Sequence, residues 1–216
     1  MSQPKEIFKN ILEKYLVEHL EKYDFIFNER SLKFVRDFGD IKNEIYFPAA
    51  KYNHGNEILC FGCYFVIESP KFKKWHKKNF PSLAVAHYLD PENNYNDKFK
   101  TDLYETHYNF VKYEHNKIMD IIIENFENCA NPYFLDNNTW EKIAKNSTNE
   151  NKVDALIMAE KYNDALEYCS SLISRDTNYI ESEILKNETN SNIIEQYNHY
   201  IGRLSEKEAF LKKTCC

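Results

Sequence analysis

The first apolar positions of the chain repeat at helical spacing. Between residues 5 and 23, apolar side chains recur every three or four positions, which places them on one side of an α-helix. This stripe consists of Ile7, Phe8, Ile11, Leu12, Tyr15, Leu16, His19, Leu20 and Tyr23. We therefore predict an amphipathic helix over 5–23, and we expect His19 to pack in the core rather than to bind a ligand.

The pattern then changes to the alternation that is typical of β-strands. Apolar and polar residues alternate over 32–38 and over 41–47, and Gly39-Asp40 between them predicts the turn of an antiparallel hairpin. A short strand is expected at 25–27. The run over 58–67 is apolar on both faces, so we predict a central, covered strand there. A helix, a meander of three or four strands and then further helices indicate an α+β fold.

The remainder of the chain has helical patterns. Ser69-Pro70 is a favourable helix start, because Ser caps the first turn and Pro fits its first position. A long helix is predicted over 101–126, closed by Asn131-Pro132, and its inward residues would be Leu103, His107, Phe110, Val111, Ile118, Ile121 and Ile122. Further helices are expected over 139–146, 150–161, 163–174, 178–186 and 191–212.

The composition changes near residue 130. We expect an α+β meander domain over 1–130 and a mostly α-helical region over 131–216 that packs on it. The helical region has enough apolar residues for a second core, which would comprise Val153, Leu156, Ile157, Ala165, Leu166, Leu172, Ile193, Ile194, Tyr197, Ile201 and Leu204.

The overall composition narrows the class of protein. The 216 residues are 43% hydrophobic and 15% aromatic, which is sufficient for a packed core. No run approaches the roughly 18 apolar residues that cross a bilayer, and the N-terminus lacks the apolar core of a signal peptide. We therefore expect a cytoplasmic protein without membrane contact, whose six cysteines are reduced. With four glycines and no Gly-rich phosphate-binding motif, we predict no cofactor.

The potential metal ligands and nucleophiles do not form a recognisable motif. Cys60 and Cys63 make a C-x-x-C pair, but zinc sites usually need a second pair, and strand positions three apart point to opposite faces. His107 and His115 are too far apart in sequence for a common metal-binding motif. No nucleophile signature is present. We predict no metal site and no catalytic residues, which favours a protein that is not an enzyme.

The most uneven feature of the sequence is a cluster of lysines. Five of them lie among Phe72 and Trp75 in a chain whose formal net charge is −6: Lys71, Lys73, Lys74, Lys77 and Lys78. At helical spacing the aromatic residues share the buried face, so the lysines point to water. This face is either simply solvated, or it binds an acidic protein or a nucleic-acid backbone together with Trp75. Because the rest of the chain would repel a duplex, we favour a protein partner and expect no nucleic acid.

A different class of function remains open. The chain could be a small-molecule binder or an enzyme with a pocket between the sheet and the helical half. The polar residues that could line such a pocket are Arg36, His54, His87, His107 and Glu114.

Two segments resemble known families. The first 70 or so residues of the chain resemble the bacterial domain-of-unknown-function family 4304, through the segments Phe8-Lys9-Asn10-Ile11-Leu12, Phe34-Val35-Arg36-Asp37-Phe38-Gly39-Asp40 and Ile45-Tyr46-Phe47. That resemblance implies an α+β meander domain without a known activity, although Pro48 and the lack of a later Trp-containing pattern depart from the family. Small bacterial domains of this style are often immunity proteins of toxin systems. By analogy, we hypothesise a non-enzymatic module that neutralises a partner by occlusion, with its acidic surface against a basic active site or its lysine-rich helix against an acidic patch.

The second resemblance lies near the C-terminus. Lys161-Tyr162-Asn163-Asp164-Ala165-Leu166-Glu167-Tyr168, with Leu172 and a stop at Asp176-Thr177-Asn178, is similar to the second helix of a tetratricopeptide repeat. One copy is too few for a stable solenoid, so the resemblance implies a helical hairpin.

Overall fold

The computed structural model describes residues 4–51, 53, 59–83, 108–185 and 191–215. Its contacts divide the chain into two units. The first, the sheet unit, consists of Met1–Ser69 and Tyr88–Asn138, and the second, the helical unit, consists of Pro70–His87 and Thr139–Cys216. The predicted α+β fold is confirmed. The boundary predicted after residue 130 differs from this division, because the lysine-rich segment groups with the C-terminal helices.

The described residues contain nine α-helices, two π-helical turns and six strands. The helices are α1 (Pro4–Leu12), α2 (Glu18–Glu21), α3 (Pro70–Asn79), α4 (His115–Asn125), α5 (Asn131–Leu135), α6 (Trp140–Asn146), α7 (Asn149–Met158), α8 (Tyr162–Leu185) and α9 (Ser191–Thr214). The π-helical turns are Glu13–Val17 and Phe126–Ala130. The strands are β1 (Ile26–Asn28), β2 (Lys33–Phe38), β3 (Ile41–Tyr46), β4 (Cys60–Phe61), β5 (Tyr64–Glu68) and β6 (Tyr108–Asn109).

The predicted N-terminal helix is present as α1, a π-helical turn and α2. Its apolar stripe is buried, with almost no exposed surface on Phe8, Leu12, Leu16 and Leu20. The ring of Phe8 stacks on that of Phe61, with a centroid separation of 3.8 Å, and meets Phe47 edge-on. Burial of this stripe against the strands is what holds the helix in place.

The main sheet is antiparallel and has the strand order β1-β2-β3-β5. The predicted hairpin is confirmed as β2 and β3, and the turn between them contains Gly39 at φ +81°, a conformation that glycine adopts at little cost. Alternate side chains of the strands form the buried face, which includes Phe34, Ile45, Phe65 and Ile67.

The apolar run over 58–67 is not one central strand, and that prediction is wrong. Its described part forms β4, which pairs with β6 in a separate two-stranded sheet, and β5, which pairs only with β3 at the edge of the main sheet. The interruption falls at Gly62, whose backbone N–H donates to the carbonyl of Pro48 at 2.9 Å. A Cβ at Gly62 would lie 2.8 Å from the Tyr64 ring, so the close approach requires glycine.

The long helix predicted over 101–126 is also corrected. Residues 101–107 lie outside the described residues, and the next two form β6. The side-chain oxygen of Asn109 then accepts hydrogen bonds from the backbone N–H groups of Val111 and Lys112, each at 3.0 Å. This turn delays the helix until His115 and leaves Val111 47% exposed rather than inward.

The predicted helix end at Asn131-Pro132 is wrong as well. The chain passes from α4 through a π-helical turn into α5, and Pro132 lies in the first turn of α5. Pro132 is found near the start of α5, directly after a π-helical turn rather than inside a regular α-helix, where proline is more disruptive.

In the helical unit, α6, α7 and α9 confirm three predicted helices. The break predicted near 174–178 is wrong, because α8 runs unbroken for 24 residues. Asp176 does not end the helix, since its carboxylate is buried and accepts from the guanidinium of Arg175, with Nε at 2.7 Å from Oδ1. The Cys169 thiol contacts the carbonyl of Leu204 further along the chain.

Fewer of the predicted core residues of the helical unit are buried than the pattern indicated. Of the predicted residues, six are buried: Val153, Leu156, Ile157, Ala165, Leu172 and Leu204. Ile193 is 40% exposed, and Leu166, Ile194, Tyr197 and Ile201 are partly exposed. The helices α8 and α9 have 24 residues each and α7 has 10, so their outer parts have less to pack against. None of the helices that the structure describes is long and apolar enough to cross a membrane.

Candidate functional site

The helix α3 exposes lysines on one side and buries aromatic rings on the other. Three lysines are exposed and have no ion-pair partner among the described residues: Lys74, Lys77 and Lys78, which we call the lysine face. At 100° per residue they lie within one third of the helix circumference. Lys71 and Lys73, also predicted as binding residues, take part in other interactions. The C-terminal position of Lys77 and Lys78 is favourable because the helix dipole is negative there.

Trp75 belongs to the buried side of α3. Its ring lies 5.5 Å from that of Phe80 and 5.7 Å from that of Phe210, both edge-on, and 6.2 Å from that of Phe72. Phe72 in turn packs 5.9 Å from Trp140. These rings attach α3 to the other helices of its unit, as the helical spacing predicts, so Trp75 supports the lysine face rather than extending it.

A network of buried charges lies inside the same unit, and the sequence reading did not find it. Lys207 has no exposed surface, and its ammonium nitrogen lies 2.7 Å from Glu150 Oε1 and donates to Asp154 Oδ1. Arg203 Nη2 lies 2.6 Å from Glu150 Oε2. The available signal was spacing: Lys207 follows Leu204 by three residues and precedes Leu211 by four, which is a core position of α9.

His76 faces this network from α3. It is 1% exposed, and its Nδ1 atom has no hydrogen-bond partner among the described residues. Burial, reinforced by the positive charge of Lys207, lowers the pKa of His76 to about 4. Burial also raises the pKa of Asp154 to about 6, against the opposing effect of Lys207. At neutral pH the histidine is therefore neutral, and Asp154 is mostly ionised.

These two groups make opposing contributions to the acid dependence of stability. A histidine whose pKa is lowered in the fold loses its stabilising contribution as pH falls from about 6.5 to 4. A carboxyl group whose pKa is raised in the fold has the opposite effect: its contribution to the unfolding free energy increases as pH falls through about 6. Between pH 6.5 and 4.5 the two contributions cancel, each being about 2 kcal/mol.

Replacing His76 separates the two effects. In His76→Gln, only the gain from Asp154 remains. Lowering the pH from 6.5 to 4.5 should therefore raise the unfolding free energy of the variant by about 2 kcal/mol relative to the change in the wild type. Urea denaturation at the two pH values measures this. Equal differences in the variant and the wild type would show that His76 does not titrate as a buried group.

Of the residues predicted to line a pocket between the sheet and the helical half, the structure describes Arg36 and Glu114. Arg36 is 6% exposed and lies within the sheet unit. Glu114 is exposed and precedes α4 as its N-cap. Its Oε2 lies 3.2 Å from the Nζ of Lys117. The predicted residues His54, His87 and His107 lie outside the described residues.

Arg36 is held by neutral acceptors and aromatic rings. Its Nη1 donates to the carbonyl of Tyr23 and to Asn131 Oδ1, at 3.2 and 3.0 Å, and Nε and Nη2 donate to Asn43 Oδ1. The guanidinium also lies over the rings of Phe25 and Phe134. Burial lowers its pKa from the usual arginine value. These contacts join the sheet to both helical segments of its unit, which is a structural role.

The remaining predicted chemical groups have ordinary surroundings. Cys60 and Cys63 are free and partly buried, and burial raises the pKa of both thiols. His19 is partly buried, with Nε2 at 3.1 Å from Glu127 Oε1. Within the described ranges, no group of three or more His, Cys, Asp or Glu side chains is arranged to hold a metal ion.

One open cavity lies in the helical unit where α7, α8 and α9 meet. It has a volume of about 290 Å³ and is lined by Asn149, Arg175, Asp176, Gln196, Tyr197 and Tyr200. None of these residues was predicted as a site residue. Their signal in the sequence is weak, because Arg175 and the tyrosines lie on two consecutive helices, and the spacing within either helix does not show which residues of the two meet.

The described residues define an α+β protein whose helical unit combines a basic helix, a buried charge network and a small cavity. Comparison of the chain with known protein families, with curated proteins and with solved structures found no match. The resemblances to family 4304 and to a tetratricopeptide repeat therefore stay predictions. Function is inferred from the residues of the chain itself.

Proposed function

We propose that the protein is a non-enzymatic protein-binding module that docks an acidic partner on the lysine face of α3. The observation that carries the proposal is that Lys74, Lys77 and Lys78 are exposed together without an ion-pair partner among the described residues. Some other described lysines pair with carboxylates, as Lys33 does with Glu44, whose Oε2 lies 2.7 Å from the lysine Nζ, and some do not; α3 differs in placing three unpaired lysines on one helix face. Three uncompensated charges on one helix face provide an electrostatic complement to an acidic surface.

The support beneath the lysines strengthens the proposal. Because Trp75 and Phe72 attach α3 to the rest of the helical unit, the lysine face is presented on a fixed helix. A fixed surface loses less conformational entropy when it binds. Occlusion of a partner's active surface, as in an immunity protein that neutralises a toxin, is the mode of action that suits a rigid surface without catalytic groups.

The charge of the chain favours protein over nucleic acid as the partner. The chain has a formal net charge of −6, so it would repel a long duplex outside the small basic face. An acidic patch on a protein is limited in area and matches three lysines more closely. The affinity of such a protein interface would fall only slightly as the salt concentration rises, whereas the affinity for nucleic acid would fall steeply.

The proposal is tested by charge reversal with a matched control. Tagged wild-type protein, Lys74→Glu/Lys77→Glu/Lys78→Glu and a control variant, Lys22→Glu/Lys145→Glu/Lys213→Glu, are used to retain proteins from a nuclease-treated lysate of the source organism. The control changes three exposed lysines outside α3 and has the same net charge as the test variant. We expect one stoichiometric acidic-surfaced protein on the wild type and the control, reduced at least tenfold on the α3 variant.

Two results would contradict the proposal. Equal retention on both variants would remove the lysine face from the interface. Retention that occurs in an untreated lysate but not in the nuclease-treated one would assign the lysine face to nucleic acid instead.

A further inference from the structure

One side of the hairpin formed by α8 and α9 is apolar and incompletely buried. We call it the hairpin face, and it consists of Leu166, Ile173 and Ile184 on α8 and Ile194 and Ile201 on α9. Ile184 is 52% exposed, and the other four are partly exposed. Leu166, Ile194 and Ile201 have the spacing of core residues in the sequence. The packing of the helical unit therefore leaves uncovered a surface that has the pattern of a core.

The helix α7 packs on the opposite side of this hairpin. The backbone N–H of Asn149 donates to the Tyr168 hydroxyl of α8 at 3.2 Å, and Glu150 pairs with Arg203 of α9. Tyr168 is two residues from Leu166, and Arg203 is two residues from Ile201. Residues two apart point about 160° away from each other on a helix. Among the described elements, α8 packs extensively only against α7 and α9, so the hairpin face stays open.

The hairpin face presents little net charge to an approaching surface. Glu208 Oε2 of α9 lies 2.9 Å from Lys212 Nζ, and Glu208 Oε1 accepts a hydrogen bond from the Ser170 hydroxyl of α8. Glu181 is exposed, but it lies further from the midline of the hairpin than Ile184. Apolar side chains therefore lie at the centre and polar ones towards the edge, which is the arrangement of protein interfaces.

Gly202 gives a second indication that another helix packs here. It lies within α9 beside Ile201, where glycine lowers helix stability relative to alanine. A Cβ at this position would meet no atom within 4 Å, so the packing of the chain itself does not require glycine. Glycine does allow a helix of another molecule to approach the backbone of α9 closely, and Ser205, one turn further on, is also small.

The hairpin face is large enough for a dimer. From Leu166 to Ile184 it extends about 27 Å along α8, and two packed helices are about 20 Å wide. Pairing two such faces would bury about 1,100 Å², whereas a specific interface needs about 1,000 Å². Two helices from each copy then form a four-helix bundle, in which each apolar stripe has a partner.

We propose that two copies of this chain associate through the hairpin face around a two-fold axis, with α8 and α9 of both copies forming a four-helix bundle. The same residues meet on both sides of the axis, so the apolar stripes are their own complement. This interface lies on different helices from the lysine face of α3 and does not depend on it.

Sedimentation velocity of the full-length protein between about 1 and about 200 μM measures the association. We expect the mass to rise from 25.9 kDa to twice that value, with a Kd below about 100 μM. The variant Ile184→Lys/Ile201→Lys puts charges at the centre of the interface and should weaken association at least tenfold. The control Ile26→Lys/Val111→Lys changes two exposed apolar residues of the sheet unit by the same charge and should dimerise as wild type.

The variant Gly202→Leu separates association from folding. Because the space around this position is open, the monomer accommodates leucine, and its thermal unfolding at about 1 μM should shift to higher temperature. We expect its dimer to be at least about fivefold weaker, because the leucine side chain keeps the second copy away from α9.

Two results would overturn the proposal. The first is a wild-type mass that stays at 25.9 kDa up to about 200 μM, which would leave the hairpin face to a different partner. The second is undiminished association of either Ile184→Lys/Ile201→Lys or Gly202→Leu, which would place the dimer interface elsewhere on the chain.

Discussion

Lys207→Met should lower the unfolding free energy by about 3–5 kcal/mol, the largest effect that we expect from one substitution in the helical unit. The ammonium group of Lys207 is completely buried, and it contacts the carboxylates of Glu150 and Asp154. Methionine fills a similar volume but leaves both acids inside the protein with only Arg203 as a counterion. Urea denaturation at pH 7 measures the loss.

Two further variants test the reason for that loss. Lys212→Met removes an exposed lysine that pairs with Glu208 one helical turn earlier, and it should cost less than about 1 kcal/mol. Adding Glu150→Gln and Asp154→Asn to Lys207→Met should recover part of the stability, because no buried acid then lacks a counterion. A loss below about 1 kcal/mol in Lys207→Met would mean that water reaches the network and that the helix contacts around it are wrong.

Arg36→Met should lower the unfolding free energy by about 3 kcal/mol, and Arg36→Lys should not restore it. Methionine removes the donors to the buried side-chain oxygen of Asn43 and to the partly buried acceptors on Tyr23 and Asn131. Lysine keeps the charge but cannot reach three acceptors with one ammonium group, whereas the guanidinium fork can. Guanidinium chloride denaturation of both variants measures the effect.

The Arg36 experiment also separates a structural role from a pocket role. Arg30→Met changes an exposed arginine of the same unit and should be within about 0.5 kcal/mol of wild type. If Arg36→Met were as stable as that control, Arg36 would be free to serve a ligand, and the alternative of a pocket beside the sheet would regain support.

The elements in which apolar residues recur with a clear helical or strand period could be predicted from the sequence. The stripe from Phe8 to Leu20 can be buried only as a helix, and the alternation on either side of Gly39 can bury one face only as a hairpin. The predictions failed where a single local contact decided the structure. The hydrogen bond from Gly62 to Pro48 divides an otherwise continuous strand, and the side chain of Asn109 delays a helix that the apolar pattern favours.

In the candidate site, too, one feature could be predicted from local spacing and the others could not. The exposure of Lys74, Lys77 and Lys78 follows from helical spacing alone, because the aromatic residues occupy the opposite face. The network around Lys207 depends on which helix packs against α9, and the cavity beside Tyr200 depends on the exact register of α8 and α9. Such long-range relations leave no local pattern in one sequence, so residue spacing could not predict them.

The central proposal is that the lysine face binds an acidic protein. The most direct measurement is the affinity of the retained partner, purified, for wild type and for Lys74→Glu/Lys77→Glu/Lys78→Glu at 50 and 200 mM salt, by titration calorimetry. We expect the variant to bind at least tenfold more weakly at 50 mM salt, and the two proteins to differ less at 200 mM, because salt screens exposed charges. Equal affinities at both salt concentrations would contradict the proposal.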